Sequence, residues 1–195
     1  MGFSSKRIIV AAGLLGLLSF NAKEDEGMWV YNNLPLKQLK DRYGFEVNDA
    51  WKDHLMKSSV RFNSGGSGSF ISSSGLVLTN HHVGAHTLHE ISTAQKDYYK
   101  DGFLAKTQEA EVPAKGLELN QLVSIEDVTA RVEGAVRGDM APAAAAAARG
   151  AVISLIEKES FEKTGLRSDV VVLYQGGQYH LYRYKKFTDI RLVFS

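Results

Sequence analysis

The chain contains no cysteine. That single absence excludes disulfides, thiolate metal sites, a Cys nucleophile and a lipidated N-terminal Cys. It is compatible with the cytoplasm and with the periplasm, so it does not choose a compartment. Neither sign of charge dominates: 23 Lys and Arg stand against 22 Asp and Glu, for a net charge of +1. Such a balance leaves no electrostatic footprint for nucleic acid, and no Lys/Arg block marks a membrane-surface patch. The apolar run from Ile8 to Leu18 is too short for a comfortable bilayer span, which takes roughly 20 residues of helix. What remains is an ordinary globular composition, 44% hydrophobic, in 195 residues. One domain and little more is expected.

The N-terminus indicates a compartment. Lys6 and Arg7 form a basic start, Ile8 to Leu18 an uncharged apolar core, and Ser19 to Ala22 a polar exit before the acidic Glu24-Asp25-Glu26. These are the parts of a secretory signal peptide, expected over residues 1–22. The expected location is secreted: the periplasm or the outer surface of a Gram-negative bacterium. Residues 23–195 are then the mature part.

Along that part, a short helix is expected to end near Gly44, and Asn48 to cap a second helix running through Met56. The texture changes at Ser58. Ser59 to Phe62 and Ser69 to Ser72 read as strands around the turn Gly65-Gly66-Ser67-Gly68, and Leu76 to Thr79 reads as a buried strand after Ser73-Ser74-Gly75. Helical spacing returns from Gly84 to about Phe103. Leu117 to Val123 is a strand candidate, Ser124 to Asp127 has helix-start character, and Asp139 to Lys163 is the clearest helix, with six consecutive alanines and Gly165 behind it. Asp169 to Tyr184 reads as a hairpin around Gly176-Gly177, and Thr188 to Phe194 as a last strand. That apolar strand runs up to the final residue, from which we expect a fragment.

The chemistry is concentrated between Gly65 and Val83. Here a strand, a tight turn and a second strand, Leu76-Val77-Leu78-Thr79, lead to Asn80-His81-His82-Val83. A histidine delivered into a cleft by a rigid element can take a serine's proton and return it to the leaving amine. Imidazole suits both directions because it titrates near neutrality.

This loop resembles the histidine loop of chymotrypsin-fold peptidases. Three further stretches make the resemblance specific, Glu26-Gly27-Met28-Trp29, Ser59 to Phe70 and Tyr182 to Phe194, and Asp101-Gly102-Phe103 and Ile125 to Thr129 fit the same family. With them the mature chain resembles the bacterial dipeptidyl-peptidases 7 and 11. The resemblance implies a mainly β fold with helical insertions, part of a chymotrypsin-like double β-barrel of which this chain holds an incomplete N-terminal barrel. It implies a serine-type dipeptidyl-peptidase that releases dipeptides from peptides with a free N-terminus. No cofactor or metal is implied, and a homodimer is suggested for the full-length protein.

Carried over by the family pattern, the general base is His82, the histidine directly before Val83, with His81 in support. His81, His82, His86 and His89 also have spacings that could seat a metal on a helical face. No HExxH pattern accompanies them, and His82 already has a role. Gly66-Ser67-Gly68 resembles a nucleophile turn only superficially. Asp189, in Thr188-Asp189-Ile190-Arg191-Leu192, has the context of the acid in ordinary trypsin-like enzymes, whereas in the dipeptidyl-peptidases the acid lies further on. The serine and the helical cap domain would also lie beyond Ser195, so the chain alone is expected to be inactive. Two alternatives stay open: a periplasmic trypsin-like endopeptidase, and a secreted peptidase-fold module without catalysis.

Overall fold

A computed structural model describes residue 25 and residues 27–195. The expected signal peptide, residues 1–22, lies outside the described residues. The chain divides into residues 1–35 and residues 36–195. In the first unit the Asn33 N–H closes a turn on the Val30 carbonyl at 2.9 Å.

The second unit opens with two helices, α1 (Leu36–Tyr43) and α2 (Asp49–Ser58). Gly44 ends α1 at φ +63°, its N–H bonded to the Lys40 carbonyl. The Asn48 side chain accepts from the Trp51 N–H at 2.8 Å, satisfying one of the free donors at the start of α2. Both helices were legible in the sequence.

Next come β1 (Ser59–Phe62), β2 (Ser67–Phe70), β3 (Val77–Thr79), α3 (His81–Ile91), β4 (Val112–Pro113), β5 (Leu119–Asp127), α4 (Thr129–Glu133), α5 (Pro142–Thr164), β6 (Arg167–Leu173), β7 (Gln178–Phe187) and β8 (Arg191–Leu192). Six strands form one antiparallel sheet in the order β3-β2-β1-β5-β7-β6, while β4 and β8 pair separately.

Three expectations need correction. Ser124 to Asp127 does not start a helix. It continues β5 past a register shift between Leu122 and Ser124, because Arg183, Tyr182, Leu181 and His180 of β7 are there to pair with it. The helix starts later, where the Asp127 carboxylate accepts from the Thr129 N–H at 2.9 Å. The strand before His81 is not buried: β3 lies at the sheet edge and Leu78 is 47% exposed. Finally, the helical segment after it starts three residues before Gly84 and stops at Ile91, well short of Phe103. There the Ser92 hydroxyl donates to the Leu88 carbonyl and accepts from the Tyr98 N–H, which turns the chain back.

Two apolar clusters fill one unit. Val128, Val132, Ile156, Tyr179 and Leu181 join α4, α5 and β7. Val60, Phe62 and Leu119 form the other, with Phe70, Val77, Val83 and Phe187 packed around them. Of the alanine run in α5 only Ala145 is buried, which gives a helix with one close-packed side. A polar seam holds the rest of α5 to the sheet. Arg183 and Ser168 both donate to the buried Ser160 hydroxyl, at 2.8 and 2.7 Å. The Glu157 carboxylate accepts the Val170 N–H of edge strand β6 at 2.8 Å, satisfying part of an otherwise open edge. Gly165 terminates α5 at φ +67°, where a Cβ would be strained.

A carboxylate at the start of β5 ties three strands together. Glu118 accepts from the Asn120 amide at 3.0 Å and faces the Lys186 ammonium at 3.3 Å and the Arg167 guanidinium at 3.5 Å. The Asn120 hydrogen bond chiefly, with Lys186 and Arg167 beside it, holds the carboxyl below the usual glutamate value of 4.5 against the opposing effect of burial. A carboxylate depressed by folding contributes stability above its unfolded pKa and loses it as pH falls through the lower folded value. Glu118→Gln is therefore expected to flatten the fall in urea midpoint between about pH 6 and about pH 3. Parallel curves for the two proteins would contradict this assignment.

Candidate active site

The site is built where β3 hands over to α3. In the β2–β3 hairpin Gly68 pairs with Thr79, and the Thr79 hydroxyl donates to the Ser67 carbonyl at 2.7 Å. Asn80 is the extended N-cap of α3, and its carbonyl accepts the Val83 N–H at 3.0 Å. His81 and His82 are thus the first two residues of a helix, not the last of a strand. Successive helical residues are turned by about 100°, so the two side chains leave the helix in different directions.

The two histidines are treated differently. The His81 ring lies 5.0 Å from the Tyr99 ring, and His89, two turns on, stacks on the same Tyr99 at 3.9 Å and 24°. His86 faces Glu90 one turn along, at 3.4 Å. His82 is exposed, and among the described residues it has no hydrogen bond, ion pair or ring contact. A base that must exchange a proton with a reacting group needs such a free edge. The four histidines do not converge: among the described residues no group of three or more His, Asp or Glu could hold a metal ion.

Other candidates are engaged elsewhere. Both Asp189 oxygens accept from the Arg191 guanidinium, at 3.0 and 3.1 Å, and that contact lowers the Asp189 pKa. The Ser195 hydroxyl donates to the Tyr98 carbonyl at 3.0 Å, and its backbone pairs with Phe103. Ser67 is the first residue of β2, in a hairpin strand. One close pair escaped the sequence reading altogether. His180, 2% exposed on β7, has Nε2 3.8 Å from the Asp127 carboxylate. Residues 53 positions apart in the chain share no spacing signal; only the β5–β7 register brings them together.

A histidine on the first turn of a helix, behind a glycine-rich hairpin, can be compared with known proteins. The Peptidase S46 model matches residues 24–195. The chain belongs to the Peptidase S46 family. It is 33% identical to Dipeptidyl-peptidase 7 of Porphyromonas gingivalis, covering 100% of this chain and 28% of that protein. It is 32% identical to the Asp/Glu-specific dipeptidyl-peptidase of Capnocytophaga gingivalis, covering 96% of this chain and 27% of the relative. Porphyromonas endodontalis DPP11 in complex with dipeptide Arg-Asp superposes with a TM-score of 0.72 at 28% identity, over 88% of this chain and 26% of that one. This S46 chain therefore spans about a quarter of the length of the curated relatives it matches. Those relatives are dipeptidyl-peptidases, and the family resemblance read from the histidine loop together with the stretches flanking it is borne out. The same comparison accounts for the antiparallel sheet with helices packed on it.

Proposed function

We propose that this chain is the N-terminal part of an exported serine-type dipeptidyl-peptidase, in which His82 is the general base. The observation that carries this is the match of residues 24–195 to the S46 family, with an exposed, unengaged His82 on the first turn of α3. His82 takes the proton from a serine supplied by the remainder of the protein as that serine attacks the substrate carbonyl. It then returns the proton to the departing amine, and water repeats the cycle on the acyl-enzyme. The β2–β3 hairpin, beside which Val83 of the same helical turn packs, holds the imidazole at the mouth of the site. The antiparallel sheet is the N-terminal portion of a chymotrypsin-like double barrel. Residues 1–22 export the protein to the periplasm or outer surface, where peptides with a free N-terminus are its substrates, and the full-length protein is a homodimer.

The test is turnover of fluorogenic dipeptidyl substrates by the full-length protein, each offered with a free and with an acetylated N-terminus. Release of the reporter from the free form alone supports the proposal. Equal cleavage of the acetylated form would replace it with an endopeptidase, and no cleavage of any substrate would leave a peptidase-fold binding module. The 195-residue chain alone is expected to show no turnover, since it supplies a base without a nucleophile.

A further inference from the structure

We infer that Gly66 is a positioning residue for His82, acting through Val83; the inference rests on the role proposed for His82. Gly66 lies in the β1–β2 turn at φ +89°. A Cβ built there would stand 2.6 Å from Val83 Cγ2, 3.0 Å from Cγ1 and 3.4 Å from Cβ. Both methyl positions nearest Gly66 are filled. Valine has two methyls to distribute over three staggered positions, so every rotamer keeps at least one of those two occupied. Rotation of Val83 can at best trade the 2.6 Å contact for one at 3.0 Å, still tighter than ordinary packing, and in a helix its χ1 is already close to fixed.

The displacement must then fall on one backbone or the other, and the turn is the better anchored. The Phe62 N–H bonds to the Gly66 carbonyl at 3.1 Å, and the Gly65 N–H to the Phe62 carbonyl at 3.2 Å. Asn63 ties the same turn to the start of β5, its amide donating to the Gly116 carbonyl and its Oδ1 accepting the Glu118 N–H. Opposite it, the first turn of α3 begins at an exposed Asn80 whose side chain makes no capping hydrogen bond. The weaker partner moves. Val83 is adjacent to His82, so the bare Gly66 backbone sets how closely the α3 first turn, and the imidazole on it, seats against the hairpin.

Gly65 provides a matched control. It has a similar backbone at φ +95°, but a Cβ there meets nothing within 4 Å. Both alanine variants carry backbone strain, and only Gly66→Ala pushes on Val83. In the full-length protein Gly66→Ala is expected to lower kcat about 100-fold relative to Gly65→Ala, the scale of a displaced catalytic group, with KM within a few-fold. Adding Val83→Ala to Gly66→Ala is expected to recover at least about tenfold, while Val83→Ala alone lowers kcat. Equal kcat for the two glycine variants, or no recovery in the double variant, overturns the inference. Should Gly66→Ala not fold, Val83→Ala alone decides: a kcat within about twofold of the parent overturns it. Activity persisting in His82→Ala would instead sink the proposed function.

Discussion

Replacing His82 by Ala in the full-length protein is expected to lower kcat by roughly six orders of magnitude, the loss seen when the base of a serine-peptidase triad is removed. The reasoning starts from the proton. A serine hydroxyl is a poor nucleophile until a neighbouring base accepts its proton, and the leaving amine is a poor leaving group until it receives one. In the proposed role His82 makes both transfers; it stands at a helix start, free of any hydrogen bond or ring contact among the described residues. His81→Ala is the companion measurement. Its ring packs on Tyr99, which also stacks on His89, so it serves to hold α3 to the following turn. A loss of no more than about tenfold is expected there, in keeping with a packing contact beside the site. Full activity in His82→Ala, or equal losses in the two variants, would reject the assignment of the base.

The distinction between these two histidines shows where sequence reading reached and where it stopped. Family resemblance put the base at His82, on residues read as the exit from the strand Leu76 to Thr79. The chain is in fact helical there, since Asn80 adopts the extended N-cap conformation and the backbone winds up at once. The strong local signals were readable: Asn48 before α2, Gly165 behind α5, the glycine turn between β1 and β2. Signals that depend on a distant strand were not. Ser124 to Asp127 has helix-start composition, and only pairing with β7 makes it a strand. Leu78 looks like a core residue until the sheet order puts β3 at the edge. Likewise the contact between Gly66 and Val83 requires the hairpin and α3 to be folded against one another, which glycine counting could not reveal.

Leu181→Ala is expected to cost about 3 to 4 kcal/mol, in the middle of the range for buried leucines. Leu181 is 1% exposed and packs in a cluster with Val132 at 0% and Ile156 at 2%. It sits on β7, an interior strand hydrogen-bonded to β5 on one side and to edge strand β6 on the other, so the surrounding backbone has little freedom to collapse into the space. A cavity that cannot close costs the lost burial and the lost dispersion contacts together. The consequence for activity is different. Val83 and the hairpin under His82 belong to the other cluster, built on Val60, Phe62 and Leu119. The full-length Leu181→Ala protein, assayed well below its lowered melting temperature, is therefore expected to keep kcat within a few-fold, since sites in separate clusters act nearly independently. A parallel collapse of kcat in a folded Leu181→Ala protein would show that α5 and β7 help set the geometry of α3, and that the two cores work as one.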